Sequence, residues 1–370
     1  MTYIDFIVPE LYASDGGIQN YSKALIASAS KLLPNAKLRV FILNDRKNTN
    51  YGNQLNNVDF YAANRNKASL VKQVMQAAHV HRPSLVISTH PNFAILQLAH
   101  KKIFQSKYWS TAHGIEVWNI QSRLQLKSLS KIDRLLPVSK YTRDRLKNQL
   151  RDICPKQTIL PNSFDGLRFC PGLKSKHLLG RYGLAEDTPI ILTLSRLSYA
   201  DRYKNIDRLI ESIRFLLPRW PDIRLIVMGD GDDRNRLSRI AKDNGVGPSV
   251  IFTGRVETAE IPDHLRLASV FALPSSGEGF GIVFLEALGC GVPVIAGNRD
   301  GSSEPLREGK FGQLVDPELP LAPVLASMLS CRGPSLWFQP NALSKAVTDE
   351  FGLETFCQRL KMILYKDGIA

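Results

Sequence analysis

Residues 274–293 read P-S-S-G-E-G-F-G-I-V-F-L-E-A-L-G-C-G-V-P, and no other stretch constrains the fold as tightly. The apolar run Val270–Leu273 ends at Pro274, so a buried strand stops there. A glycine-rich turn follows, in which Gly277, Gly279 and Gly281 can take positive φ or let a ligand approach the backbone. A helical pattern then starts near Ile282 and stops at Gly289 and Gly291, ahead of a second buried strand over 293–296. Such a strand–turn–helix–strand unit aims the unpaired N–H groups of a helix start at the strand ends, a favourable seat for phosphate. Glu278 in the turn and Glu286 in the helix flank that seat, and they fit no metal-ligand spacing. Carboxylates there accept hydrogen bonds from sugar hydroxyls, so a ligand with both diphosphate and sugar parts fits best.

Buried-strand patterns alternate with helical patterns along the whole chain, which predicts parallel sheets in an α/β protein. In the first half the strands are 4–8, 37–41, 85–88, 108–112 and 135–138, with helices over 18–33, 67–79, 93–104 and 141–148. In the second half strands are predicted at 190–194, 224–228, 250–253, 270–273 and 294–296, separated by helices over 205–217, 232–244 and 259–268. At 370 residues two domains are expected. The halves meet near residues 160–185, where Pro161, Gly166, Pro171 and Gly172 interrupt any long pattern. The expected division is 1–165, 166–350 and a final amphipathic segment within 351–370.

Net charge is +14, and its distribution is lopsided. Residues 1–165 carry 23 Lys and Arg against 10 Asp and Glu, whereas the remainder carries 25 against 24. A basic first half points to an anionic partner such as acidic lipid headgroups or a lipid-linked diphosphate. The run from Lys101 and Lys102 through Lys107, Tyr108 and Trp109 interleaves cations with aromatics, as interfacial segments do, and so do solvated helices whose aromatics pack inward. No nucleic-acid recognition motif accompanies the charge. Five scattered cysteines lack C-x-x-C or zinc spacing, which predicts a reducing compartment and no structural metal. The first residues lack a basic region followed by a long apolar core, so a cytoplasmic protein is expected, peripheral on the inner membrane face if the charge meets lipid.

The 274–293 stretch resembles the E-x7-E signature of retaining glycosyltransferases of the GT-B architecture, family 4, in which two Rossmann-like domains face each other across a cleft. Other segments are similar in the same order. Arg196 and Lys204, in S-R-L-S-Y-A-D-R-Y-K-N-I-D, resemble the family's R-L…K-G-x-D pattern, whose two cations grip the donor diphosphate; Asn205 stands where the family has glycine. Gly16 and Gly17 resemble the N-terminal G-G turn facing the donor phosphates. His113, opening H-G-I-E-V-W, is similar to the histidine that contacts a hydroxyl of the transferred sugar, with Glu116 a lesser acceptor-side candidate. Thr253-Gly254-Arg255-Val256 resembles the base-binding loop, which implicates Gly254 and Val256. The 159–169 segment looks like the family's interdomain stretch, with Ser163 replacing glycine, and V-M-G-D-G-D-D at 227–233 matches its strand-end G-D-G. Asp230 and Asp232 there form a D-x-D that caps the following helix more often than it binds metal. The final segment, 353–365, resembles the helix that crosses back to the first domain.

The resemblance implies Glu286 on the ribose hydroxyls and Glu278 on sugar hydroxyls. It also implies that the backbone of Gly279, Phe280, Gly281, Ile282 and Val283 lies against sugar and phosphate. The implied activity is metal-independent transfer of mannose, glucose or N-acetylglucosamine, with retention, from a nucleotide diphosphate sugar to a hydroxyl of a lipid-linked or surface glycan. Fixed cations suit that chemistry because the leaving diphosphate gains negative charge as the glycosidic bond breaks. Binding between domains further implies closure that excludes water. A nucleotide-sugar 2-epimerase on the same fold and a non-catalytic nucleotide-sugar-binding subunit stay open. A dinucleotide dehydrogenase is disfavoured because no G-x-G-x-x-G follows the first strand.

Overall fold

The structure, a computed structural model, describes residues 2–13, 16–52 and 55–369. It divides into two compact units: one holds the chain up to Ser163 together with the residues from Leu353 onward, and the other is Phe164–Gly352.

Among the described residues the first unit contains β1 (Thr2–Val8), α1 (Gly17–Leu32), β2 (Ala36–Ile42), β3 (Val58–Ala62), α2 (Lys67–Val80), β4 (Leu85–Ser88), α3 (Ala94–Phe104), β5 (Lys107–Ala112), α4 (Ile115–Trp118), α5 (Arg123–Leu129), β6 (Arg134–Pro137), α6 (Lys140–Leu150) and β7 (Lys156–Gln157). All strand pairs are parallel, in the order β3-β2-β1-β4-β5-β6-β7. Central strands covered on both faces must be apolar almost throughout, and β4 (Leu85–Ser88) is buried at every position. β3 and β7 escape the apolar-run pattern for the complementary reason. β3 reads V-D-F-Y-A at the sheet edge, and β7 is two residues long.

The second unit contains α7 (Lys176–Tyr182), β8 (Ile190–Leu194), α8 (Ile206–Leu216), β9 (Arg224–Met228), α9 (Arg234–Asp243), β10 (Val250–Gly254), α10 (Ile261–Leu267), β11 (Val270–Leu273), α11 (Ile282–Gly289), β12 (Val294–Gly297), β13 (Gln313–Val315), α12 (Ala322–Leu329) and α13 (Pro340–Phe351). Its sheet is parallel too, in the order β10-β9-β8-β11-β12-β13. α8 shows why the helices form where they do: Ile206, Leu209, Ile210, Ile213 and Leu216 fall at helical spacing and are all buried in the unit's core.

Both sheets start from an inner strand, step outward on one side, then cross back and continue on the other. The loops on either side of that reversal diverge at the carboxyl ends of β1 and β4 in one unit and of β8 and β11 in the other. Such a switch point is where open α/β sheets bind ligands. The last helix, α14 (Leu353–Lys366), belongs to the first unit. Phe356 sets its ring edge-on to Tyr21 at 5.6 Å, and Glu354 pairs with Lys31 at 2.9 Å. Just beyond the helix, Asp367 receives the buried Arg134 in a two-pronged ion pair and Lys156 at 3.1 Å. Among the described residues no helix is long and apolar enough to cross a membrane.

Candidate active site

In the second unit the loops leaving β8 and β11 carry three of the implicated side chains to one place. Lys204 Nζ lies 3.4 Å from Glu278 Oε1, with both side chains largely shielded. Arg196, on the first residues after β8, is held by Asp201 through Nε at 2.7 Å and Nη2 at 3.2 Å. Asp201 is buried, while the Arg196 side chain is 73% exposed, so a fixed carboxylate holds a guanidinium that still faces outward. Asp201 also raises the Arg196 pKa, so the group is a permanent cation.

Asn205 explains how this loop keeps its shape without the usual glycine. Its φ of 56° lies in the left-handed region, which asparagine tolerates better than most residues. Its Nδ2 donates to Pro274 O at 2.8 Å and Tyr203 O at 3.1 Å, tying the β8 loop to the β11 loop. Ser276 N adds a bond to Tyr203 O at 2.8 Å. Lys204 and Glu278 therefore meet because their two loops are fastened together at the residues flanking Lys204 and at Pro274 and Ser276 just ahead of Glu278.

The Glu278 turn is anchored from the other side by Asp300. Its buried carboxylate accepts from Glu278 N at 2.6 Å, Ser275 Oγ at 3.0 Å and Ser302 N at 2.9 Å. Burial raises the Asp300 pKa, and those hydrogen bonds oppose the shift. Gly301 is obligatory here: a Cβ would lie 2.2 Å from Gly279 O. Of the three turn glycines only Gly281 takes a positive φ, at 85°. Gly277 is needed for space instead, since a Cβ there would lie 2.7 Å from the Tyr203 ring.

Gly281 is also the N-cap of α11 and has no side chain to cap it, so the N–H groups of Ile282 and Val283 stand at an open helix start. Phe280 is buried and packs on Phe351, leaving only its backbone for a ligand. Glu286, one turn into α11, is buried, and burial pushes its carboxyl up to about 7 against the opposing pull of Arg168. The two glutamates thus have different neighbours: Lys204 for Glu278 and Arg168 for Glu286. Gly254, φ 70°, ends β10, and Val256 beyond it is half-buried. Backbone bonds lace the successive loops together, from Gly229 N to Gly254 O, Ser195 N to Met228 O and Leu197 N to Asp230 O, each 3.0 Å.

The D-x-D does not cap α9, contrary to the sequence expectation. Asp230 accepts from its own neighbour Gly231 N and Asp232 accepts from Tyr199 N, while Asp233 stands at the N-cap with its carboxylate on Arg202 and Arg236 and no side-chain bond to a helix N–H. The turn after β9 curls back on the β8 loop, and that geometry points Asp232 away from the helix. No group of three or more His, Cys, Asp or Glu residues able to hold a metal occurs among the described residues.

In the first unit His113 follows β5. Its Nε2 lies 3.0 Å from Thr89 O and 2.9 Å from Thr111 Oγ1. A carbonyl can only accept, so Nε2 carries the proton and Nδ1 is left as an acceptor. Burial lowers the imidazole pKa, with Glu116 opposing, which favours the neutral ring at neutral pH. Glu116 itself accepts from the backbone N–H groups of His113 and Gly114, so one carboxylate oxygen caps this turn and is not free for an acceptor. Gly17 starts α1 and Gly16 is its N-cap, without a side-chain cap. Gly16 has an extended φ of 176°, and a Cβ there would meet only the Gln19 side chain, so it is not a strained position. Ser14 and Asp15 lie outside the described residues. Asp45, buried and unforeseen from sequence, accepts from Leu11 N, Tyr12 N and Ala13 N and so orders the loop after β1.

The aromatics of the Lys101–Trp109 run point inward: Tyr108 and Trp109 are buried in the core of the unit. Lys101 pairs with Asp133 at 2.7 Å, and Lys107 donates to Asp367 O. The inward-packing alternative therefore describes Tyr108 and Trp109, whereas Lys102 and Ile103 of the same run are exposed.

Two parallel sheets of seven and six strands, each with its reversal at an inner strand, define the GT-B glycosyltransferase architecture. Sucrose-phosphate synthase from Thermosynechococcus elongatus has this fold with a TM-score of 0.80, at 18% identity and covering 99% of each chain. HepE of Anabaena, solved in complex with UDP, gives 0.77 at 20% identity, covering 99% of this chain and 100% of that one. Residues 177–333 match the family described as glycosyl transferases group 1. The GDP-mannose-dependent alpha-(1-6)-phosphatidylinositol monomannoside mannosyltransferase of Mycolicibacterium smegmatis is 37% identical over 219 residues, 56% of this chain and 56% of that protein. Alpha-monoglucosyldiacylglycerol synthase of Streptococcus pneumoniae is 28% identical over 205 residues, 54% of this chain and 45% of its own. The chain thus spans about half the length of the curated relatives it matches.

Proposed function

We propose that this chain is a retaining, nucleotide-sugar-dependent glycosyltransferase of the E-x7-E type, acting on a hydroxyl of a lipid-linked glycan. The observation that carries the reading is the Lys204–Glu278 pair with Arg196 beside it, at the switch point of the second sheet. Two fixed cations and an uncapped helix start suit a diphosphate, and Glu278 beside them suits the hydroxyls of the attached sugar. Glu286 takes the ribose hydroxyls, the Gly254–Val256 loop takes the base, and the backbone from Gly279 to Val283 lines sugar and phosphate. Nδ1 of His113 accepts from a sugar hydroxyl, and Gly16 and Gly17 offer backbone N–H groups to the phosphates.

In the reaction the acceptor oxygen forms its bond to the anomeric carbon on the face the diphosphate leaves. The C–O bond to the diphosphate breaks, and the departing phosphate oxygen takes the acceptor's proton. Arg196 and Lys204 stabilise the growing negative charge, and no metal ion is required. The printed activities of the relatives make GDP-mannose the first donor to try and a glycosylated phospholipid the first acceptor. A peripheral position on the cytoplasmic membrane face suits such an acceptor. The test is transfer from a panel of nucleotide sugars by the wild type, Lys204→Ala and Glu278→Gln. The reading predicts losses of 100-fold or more in both variants; near-normal transfer by both overturns it.

A further inference from the structure

The positive charge of the first unit is concentrated. Between Asp45 and Asp133 the chain has twelve Lys and Arg but two acids, Asp59 and Glu116. Asp59 pairs with Lys37, and Glu116 caps the turn at His113. Within this stretch α3 and α5 pack side by side, tied near their starts by Gln125 Nε2 to Asn92 Oδ1 at 3.1 Å. Near their ends Lys101 Nζ donates to Lys131 O at 2.9 Å. Both helices follow parallel strands and run the same way, so their outward faces form one continuous surface.

That surface combines apolar and cationic side chains. Ile95, Leu124 and Ile103 are 42%, 54% and 61% exposed. Lys102, Lys127 and Lys131 are exposed beside them and make no ion pair among the described residues. The nearby acid, Asp133, is engaged by Lys101 and by Tyr108 N. Three exposed aliphatic side chains among unpaired lysines match a bilayer's two demands: apolar groups to enter the acyl boundary and cations for the headgroups.

We propose that the outer face of α3 and α5 docks on an anionic lipid bilayer. The inference extends the lipid-linked acceptor of the proposed function by naming the surface that meets the membrane. It excludes Tyr108 and Trp109, which are in the core, and places the lipid contact on α5 as well as α3.

The test is co-sedimentation of the full chain with vesicles of phosphatidylcholine containing 30–40% phosphatidylglycerol, roughly the anionic range in which surface charge attracts basic segments. Binding is expected at low salt, lost in pure phosphatidylcholine and weakened near 0.5 M salt, where the Debye length is only about 4 Å. Each lysine removed should lower partitioning about fivefold, so Lys102→Gln, Lys127→Gln and Lys131→Gln together should lower it about 100-fold. Leu124→Ser with Ile95→Ser should lower it several-fold without changing the salt dependence. Arg239→Gln, Lys242→Gln and Arg332→Gln together, exposed cations of the second unit, are the charge-matched control and should leave it within twofold.

Circular dichroism establishes that each variant is folded. Equal loss in the control, equal binding to neutral vesicles, or no binding at all overturns the proposal. Retention of an acidic protein or of RNA in place of vesicles would assign the face to another partner and overturn it too. Vesicle binding needs no sugar donor. Binding without transfer would therefore contradict the enzymatic reading alone, and transfer to a soluble acceptor without vesicle binding would contradict the docking surface alone.

Discussion

Replacing Asp201 by Asn keeps the size of the side chain and removes the charge that holds Arg196. The wild-type carboxylate accepts from Nε and Nη2 at 2.7 and 3.2 Å, whereas an amide offers one oxygen and sets its NH2 against the other guanidinium nitrogen. The effect on folding should be small, under about 1 kcal/mol, because the Arg196 side chain is 73% exposed and the pair is screened by water. The effect on transfer should be larger. An unrestrained arginine carries about 2 kcal/mol of rotamer entropy, which the wild type removes before donor arrives. Losing that preorganisation predicts a fall of about 30-fold in kcat/KM, below the roughly 100- to 1000-fold expected when a charge-stabilising donor is deleted. The assay is steady-state transfer with the wild type, Asp201→Asn, Arg196→Ala and the double variant. If Asp201 acts through Arg196, the second substitution should add less than about twofold in the Arg196→Ala background. An independent 30-fold loss there, or no loss in the single variant, would refute the reasoning.

Asp367→Ala should destabilise the first unit by about 3 kcal/mol, since it leaves the buried Arg134 without its carboxylate; thermal unfolding should fall by about 6–12 °C. The Asp367 carboxyl is held below its ordinary pKa chiefly by Arg134, so its contribution is present above the ordinary carboxylate range and lost as pH falls through the lowered value. An acid titration of wild type and Asp367→Ala checks that the difference between them shrinks at low pH. Glu286 has the opposite sign: burial raises its pKa to about 7, so the ligand-free second unit should lose stability as pH rises from about 4.5 to 7. If the ionised form accepts the ribose hydroxyls, nucleotide affinity should rise over the upper part of that window, and Glu286→Gln should flatten both profiles. Asn205→Ala should cost about 1–2 kcal/mol through a left-handed alanine and the lost bond to Pro274 O; Asn205→Gly should cost less, by denaturant titration.

The central strands were legible because parallel strands covered on both faces are nearly unbroken apolar runs. β8, β9 and β11 begin and end at the residues the sequence predicts. The edge strands β3, β7 and β13 were not: β3 carries an acid and a tyrosine in its apolar run, and β7 and β13 are two and three residues long. Arg196, Lys204 and Glu278 were named through the resemblance of their segments to the motifs of a known family, since as isolated charged residues after strands they would read as surface groups. Asp201, Asn205 and Asp300 could not be named so. Their importance lies in bonds between loops 69 residues apart for Asn205 and Pro274, and 22 apart for Asp300 and Glu278, and no local pattern announces such partners. One signal was available: Asn in place of glycine at position 205 marked a left-handed residue with a side chain to use. Tyr108 and Trp109 illustrate the converse, since alternation of cations with aromatics reads alike for a membrane surface and for a strand with a buried face.

The most direct test of the central claim is to incubate the chain with each common nucleotide diphosphate sugar and a glycosylated phospholipid in vesicles, and to determine the anomeric configuration of the product by proton NMR. One nucleotide sugar should be preferred, transfer should survive EDTA, and the product anomer should match the donor's, while Lys204→Ala should abolish transfer. An inverted anomer would contradict retention. Transfer undiminished in Lys204→Ala would contradict the site itself.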